Sequence, residues 1–168
     1  MTRIIMKFFL LILGWLLLDN TTALATAQIP DALIYQGEEH FLFSNPLESY
    51  WTKDRSRPRF QMWHTANYRG YKATWEIDGD MLYLKNLKAR IDDKYVGMEY
   101  LFPDAKGRVA ATWFSGTLRV PQGKQLHYVH MGYESVYERE LFLTIDKGKV
   151  VGKETIDNTQ KGQPKSRE

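Results

Sequence analysis

The chain has 168 residues, a formal net charge of +3 and no cysteine. The lack of cysteine excludes structural disulfides, thiol catalysis and cysteine-ligated metal. A net charge this near zero gives no ground for expecting nucleic acid as a partner. The sequence therefore predicts no cofactor and no nucleic-acid ligand.

Residues 1–27 have the three parts of a secretory signal peptide: a basic start, an apolar run at 8–18 and a small-x-small site at 25–27. The apolar run is shorter than the roughly 20 residues that span a bilayer, which argues against the alternative of a retained membrane anchor. We predict cleavage before Gln28 and export to the periplasm or the medium of a bacterium, with no transmembrane segment after cleavage.

Cleavage leaves 141 of the 168 residues, a usual size for one domain. Short apolar segments separated by turn residues predict an all-β domain at 28–157, followed by a disordered polar tail at 158–168. The architecture we expect is a compact antiparallel β sandwich or barrel of about eight to ten short strands with one or two short helical turns.

Four hairpins are predicted: 33–43 around Gln36 and Gly37, 71–91 around a turn at 78–80, 109–120 around a turn at 115–116, and 141–151 around a turn at 146–149. Strict alternation at 71–77 predicts a strand with one buried face. In the next strand, 81–91, the apolar positions change from even to odd numbers. This change predicts a β-bulge near Lys85 and Asn86.

Two segments depart from the strand pattern. Asn45, Pro46 and Glu48 have the spacing of a helix start, which predicts a single helical turn there. Residues 95–102 are apolar without alternation and end at Pro103. A short helix that covers an open end or edge of the sheet is the expectation for this segment.

The segment 51–72 holds six Lys and Arg residues against one acid, Asp54, together with five aromatic residues. Arg side chains suit carboxylate, sulfate or phosphate, and aromatic faces suit sugars or cations. The alternative is a solvated connection whose aromatics close the core. Elsewhere in the chain, Gly132 allows a bulge or a close backbone approach that turns His130 or Tyr133 toward a pocket. The predicted binding residues are Arg57, Arg59, Trp63, Tyr68, Arg69 and Tyr133.

Catalytic and metal motifs are weak. His127 and His130 are three residues apart, so on a strand they point to opposite faces and do not share a metal ion. Ser115 lies between two strand-like segments, whereas a nucleophile elbow needs a strand followed by a helix. The sequence predicts no metal site and favours a protein that is not an enzyme.

These observations predict an exported soluble non-enzymatic binding protein, of the inhibitor or immunity kind, that engages an acidic macromolecular partner in the cell envelope: a protein or an acidic glycan. One alternative is a glycan- or small-amphiphile-binding barrel that uses Trp75, Trp113, Tyr128 and Tyr133. Another is an envelope hydrolase built on Ser115 with His127 or His130. The sequence leaves the oligomeric state open.

Overall fold

The computed structural model describes residues 27–159. Nine strands form one mixed sheet, and the helical content is limited to short turns, which confirms the predicted all-β class. The strands are β1 (Asp31–Tyr35), β2 (Glu38–Leu42), β3 (Tyr71–Asp78), β4 (Met81–Ile91), β5 (Lys94–Val96), β6 (Val109–Ala110), β7 (Gly116–His127), β8 (Val136–Asp146) and β9 (Lys149–Asp157). The helical turns are two 3-10 turns, Pro46–Tyr50 and Thr65–Asn67, and α1 (Met98–Leu101).

The predicted signal peptide lies outside the described residues except for Ala27, as does the predicted tail from residue 160 onward. At the start of that predicted tail, the Asn158 N–H donates to the Glu138 carbonyl at 2.8 Å. No helix within residues 27–159 is long and apolar enough to cross a membrane.

The strands lie in the order β2-β1-β3-β4-β9-β8-β7, and β5 and β6 also pair with β4. The two ends of this sheet meet, because the Phe43 N–H donates to the Arg119 carbonyl at 2.8 Å and the Arg119 N–H donates to Ser44 Oγ at 3.0 Å. One pair, β1 with β3, is parallel rather than antiparallel as expected. The connection 43–70 produces this pairing, since it carries the chain from β2 past β1 to the start of β3.

The buried faces of the strands enclose the core. On β3, the alternation places Tyr71, Ala73 and Trp75 at 0% exposure, as the period of two predicts. In β4 the register skips Lys85, because Thr74 lies opposite Asn86 while Trp75 lies opposite Leu84. The predicted bulge is confirmed, and it keeps Leu82, Leu84, Leu87 and Ala89 all inside. Burial of each large apolar side chain contributes about 1.5–3 kcal/mol.

Most, but not all, of the predicted hairpins form. Those at 33–43, 71–91 and 141–151 are confirmed as β1-β2, β3-β4 and β8-β9, and the helical turn after Asn45 is confirmed as the 3-10 turn Pro46–Tyr50. The hairpin predicted at 109–120 is wrong: β6 pairs with β4 and β7 pairs with β8. The chain turns tightly between them, with the Phe114 N–H donating to the Ala111 carbonyl at 2.9 Å. Segment 95–102 is part strand and part helix, with α1 only four residues long.

Candidate functional site

The connection between β2 and β3 lines an open cleft of about 580 Å³. We call it the 45–69 cleft. Three of the six predicted binding residues line it, namely Arg57, Tyr68 and Arg69. The full lining is Asn45, Glu48, Arg57, Phe60, Met62, Tyr68 and Arg69.

Arg69 forms the back of the cleft, and its side chain is only 10% exposed. One terminal nitrogen, Nη2, donates to Asp31 Oδ1 and to the Ile29 carbonyl, both at 3.1 Å. The other, Nη1, donates to Asn45 Oδ1 and to the Tyr133 hydroxyl. The planar guanidinium therefore fixes four parts of the chain around one point.

Asp31 is the buried partner of this guanidinium, at 0% exposure. Its carboxylate also accepts the Ala73 N–H at 3.0 Å and the Trp75 Nε1–H at 3.1 Å. Burial raises the pKa of the Asp31 carboxyl, while the charge of Arg69 and the two N–H donors act in the opposite direction. Asp31 and Arg69 thus hold the start of β1 and the start of β3 in a fixed position beneath the cleft.

Tyr133 reaches the same point from the loop between β7 and β8. Its hydroxyl, which accepts from Arg69, lies 3.1 Å from Asn45 Oδ1, and its ring stacks on Phe43 with centroids 5.0 Å apart. Burial raises the pKa of the Tyr133 hydroxyl. Gly132, which precedes it, has a φ of +48°, a value that favours glycine. Tyr133 therefore lies behind Arg69 and supports it, outside the lining of the cleft.

The open side of the cleft combines charge with exposed apolar surface. Arg57 Nε lies 3.4 Å from Glu48 Oε2, and Arg57 Nη2 donates to the Arg69 carbonyl at 2.7 Å. Met62 is 51% exposed and Tyr68 is 76% exposed. A ligand here would meet one accessible cation, one accessible carboxylate and a broad apolar surface.

Buried polar atoms without a hydrogen-bond partner are concentrated in the same segment. Within residues 27–159, every such side-chain atom belongs to segment 51–71. Four of the five are N–H donors, and the fifth is the Tyr71 hydroxyl, whose pKa is raised by burial and by the nearby carboxylates of Asp31 and Glu48. Only Arg69 among these residues lines the 45–69 cleft, so these atoms cost free energy in the folded chain and do not form a surface for a ligand. The atoms are Trp51 Nε1, Trp63 Nε1, Asn67 Nδ2, Arg69 Nε and Tyr71 Oη.

The two other predicted residues do not line the cleft. Arg59 is exposed and has no ion pair, hydrogen bond or ring contact among the described residues. Trp63 packs edge-on against Tyr95, with ring centroids 6.0 Å apart, and the Lys88 ammonium lies 5.7 Å from its ring. A role for either residue in binding stays a prediction.

Sequence reasoning missed Asn45 and Asp31 as site residues. Asn45 has the spacing of a helix cap, yet its side chain makes no capping hydrogen bond and instead accepts from Arg69. The signal for Asp31 was an acidic residue directly before the apolar residues of β1, where a buried carboxylate requires a cation. The cation is Arg69, 38 residues away.

The structure also shows the surroundings of the residues on which the alternative functions, a hydrolase or a ligand-binding barrel, would depend. Ser115 Oγ donates to Asp146 at 3.1 Å and accepts from the Lys147 N–H at 2.8 Å, and no histidine is among its partners. Trp75 is fully buried, and Trp113 lies against it with ring centroids 6.5 Å apart. Within residues 27–159, no three His, Asp or Glu side chains are placed to share a metal ion.

Comparison with protein-family models, with curated proteins and with solved structures finds no match.

Proposed function

We propose that this chain is an exported binding protein, without catalytic activity, that engages an acidic segment of a protein partner in the 45–69 cleft. The observation that carries the proposal is the accessible guanidinium of Arg57, whose side chain is 34% exposed and lies in one cleft with the exposed side chains of Met62 and Tyr68. Carboxylates accept strongly from a guanidinium. An inhibitor or immunity protein acts in this way, by covering a surface of its partner.

The apolar surface of the cleft favours a protein partner over an acidic glycan. Met62, which is 51% exposed, offers a flexible thioether, which suits the irregular apolar side chains of a protein. Tyr68, which is 76% exposed, has the amphipathic character common in protein interfaces. The preferred ligand is therefore a segment in which Asp or Glu residues flank an apolar side chain.

The charge pair at the mouth of the cleft provides the test. Arg57 attracts an acidic ligand and Glu48 repels it, so the two substitutions have opposite effects on affinity. The probe is a fluorescein-labelled peptide in which glutamates flank a phenylalanine, titrated by fluorescence anisotropy. We expect Arg57→Gln to weaken binding about tenfold and Glu48→Gln to strengthen it several-fold, as for close charges at an interface.

The matched controls come from a second exposed ion pair, Arg108 with Asp78 at 2.5 Å, at the end of β3 away from Arg69. Arg108→Gln and Asp78→Asn should leave peptide affinity within about twofold, because a distant surface charge is largely screened. Two results would overturn the proposal: a change in the same direction for Arg57→Gln and Glu48→Gln, or binding of alginate oligosaccharides without binding of the peptide.

A further inference from the structure

A second binding feature lies on the opposite side of the first hairpin, at the outer edge of β2. Tyr35 and Glu38 pair across a two-residue turn, so the backbone N–H and C=O groups of Glu39 and Phe41 point away from β1. The next residue of this set, Phe43, uses its outward N–H to bond the Arg119 carbonyl. Among the described residues, no other backbone hydrogen bond reaches this edge.

Beyond that bond, β2 and β7 separate and leave an open cleft of about 530 Å³. On the β7 side, Pro121 has no N–H to donate and Gly123 has a φ of +76° where the register with β8 shifts. The strand β7 therefore does not close the sheet at this point. Residues 38–41 of β2 form the other wall, with their free backbone groups turned toward the gap.

The gap is acidic on the β2 side. Glu38 is 82% exposed on its side chain and Glu39 is also exposed. The one cation in the lining, Arg139, lies opposite Asp157 in the pairing of β8 with β9. Phe41, which is 61% exposed, adds a flat ring that can hold an ammonium group.

We infer that the outer edge of β2 binds an extended, basic segment of a protein partner by strand addition. The backbone of the added strand would bond Glu39 and Phe41, and its lysine or arginine side chains would lie beside Glu39 and over the ring of Phe41. A second copy of this chain fits less well, because pairing two β2 edges brings four glutamates together.

The direct test uses backbone-modified peptides, which leave the protein unchanged. The probe is a short fluorescein-labelled peptide of alternating lysine and valine. Residues opposite Glu39 and Phe41 direct their N–H groups at β2 and share a face with those side chains, so they should be the lysines. N-methylation of the lysine amides should weaken binding at least about tenfold, whereas N-methylation of the valine amides should change it less than about threefold. Equal loss or equal retention for the two peptides would overturn strand addition.

Substitution of the glutamates tests the charge. Glu38→Gln with Glu39→Gln should weaken the unmodified peptide about tenfold and reduce its salt dependence, while Glu154→Gln on the exposed face of β9 should not. Sedimentation velocity tests whether a second copy of this chain binds the edge of β2 instead. A dimer that Phe41→Glu dissociates, with peptide binding insensitive to the glutamates, would assign the edge to a second copy and contradict the inference.

Discussion

Arg69 shows how a single residue connects the fold to the candidate site. Its guanidinium neutralises the buried carboxylate of Asp31, and the same residue lines the cleft. Sequence reasoning placed it among exposed cations because a run of basic residues usually lies in solvent. No local sequence pattern indicates that the partner of Arg69 is Asp31, which lies at the start of β1.

We predict that Arg69→Met lowers the free energy of unfolding by about 3–5 kcal/mol, because it leaves the Asp31 carboxylate buried without its cation. The exposed Arg59→Gln should change it by less than about 0.5 kcal/mol. Urea unfolding followed by tryptophan fluorescence measures both. A loss below about 1 kcal/mol for Arg69→Met would show that the pair is not the anchor described above.

The pH dependence of the Arg69→Met variant follows from the same pair. Without Arg69 the pKa of the buried Asp31 rises further above its ordinary value of 3.8. A raised carboxyl pKa gives stability at low pH that is lost as the pH rises through the folded value. The deficit relative to the unchanged protein should therefore grow between about pH 4 and pH 7. A deficit that shrinks over this interval contradicts the assignment.

At the scale of elements, the connection 43–70 determines where the cleft residues lie. Gly70 ends this connection with a φ of +75°, and a Cβ there would lie 2.7 Å from the Gln61 carbonyl oxygen. Gly37, in the β1-β2 turn, has a similar φ of +83° but nothing within 4 Å of its Cβ position. The two glycines share a backbone conformation and differ in the space around them.

We predict that Gly37→Ala costs about 1 kcal/mol, the conformational strain alone, and that Gly70→Ala costs about 1–3 kcal/mol more because the backbone of Gln61 must move. Thermal unfolding of the two variants compares them directly. Equal losses would mean that the close approach of Gly70 to residues 60–61 does not constrain the connection.

A second element-scale prediction concerns the exposed ionic contacts on β3. Glu76 accepts from Lys85 Nζ on β4 and from Arg108 Nη1 in the loop before β6, both at 2.7 Å. These hydrogen bonds lower the pKa of Glu76 below its ordinary value of 4.5. A lowered carboxyl pKa gives stability above the unfolded value that is lost as the pH falls through the folded one.

The cost of Glu76→Gln should accordingly be largest above about pH 5 and should disappear in more acidic solution. Urea unfolding at several pH values measures it, with Glu154→Gln as the unpaired control. A cost that is constant from neutral to acidic pH would show that the contact does not depend on the carboxylate charge.

At the scale of the whole molecule, the sequence predicts local pairing well and closure poorly. The alternation in β3 and the shifted register in β4 identified the buried faces and the bulge, since both depend on side-chain period. The parallel pairing of β1 with β3 and the contact between β2 and β7 depend on chain segments far apart. The hairpin predicted at 109–120 is wrong for the same reason, because its two halves, β6 and β7, pair with β4 and with β8 instead of with each other.

The residues of the candidate site divide in the same way, into those that composition identifies and those that only the fold brings together. The segment 51–72 stood out by composition, and the cleft lies there. The fold brings Asn45 and Glu48 to its lining and Asp31 beneath it, so no spacing in the sequence joins these residues to Arg69. The net positive charge at the site is also lower than the composition of segment 51–72 suggests, because Glu48 forms an ion pair with Arg57 and Asp31 forms one with Arg69.

The central claim, that the 45–69 cleft is the binding site, can be tested by methyl NMR of the methionines. Met62 lies in the cleft, while Met81, Met98 and Met131 lie elsewhere and serve as internal controls. On titration with the glutamate-flanked phenylalanine peptide, the account predicts that the Met62 signal shifts with the binding isotherm and the other three stay within error. Saturable binding with an unmoved Met62 signal, or with shifts at Met81, Met98 or Met131 instead, would contradict it.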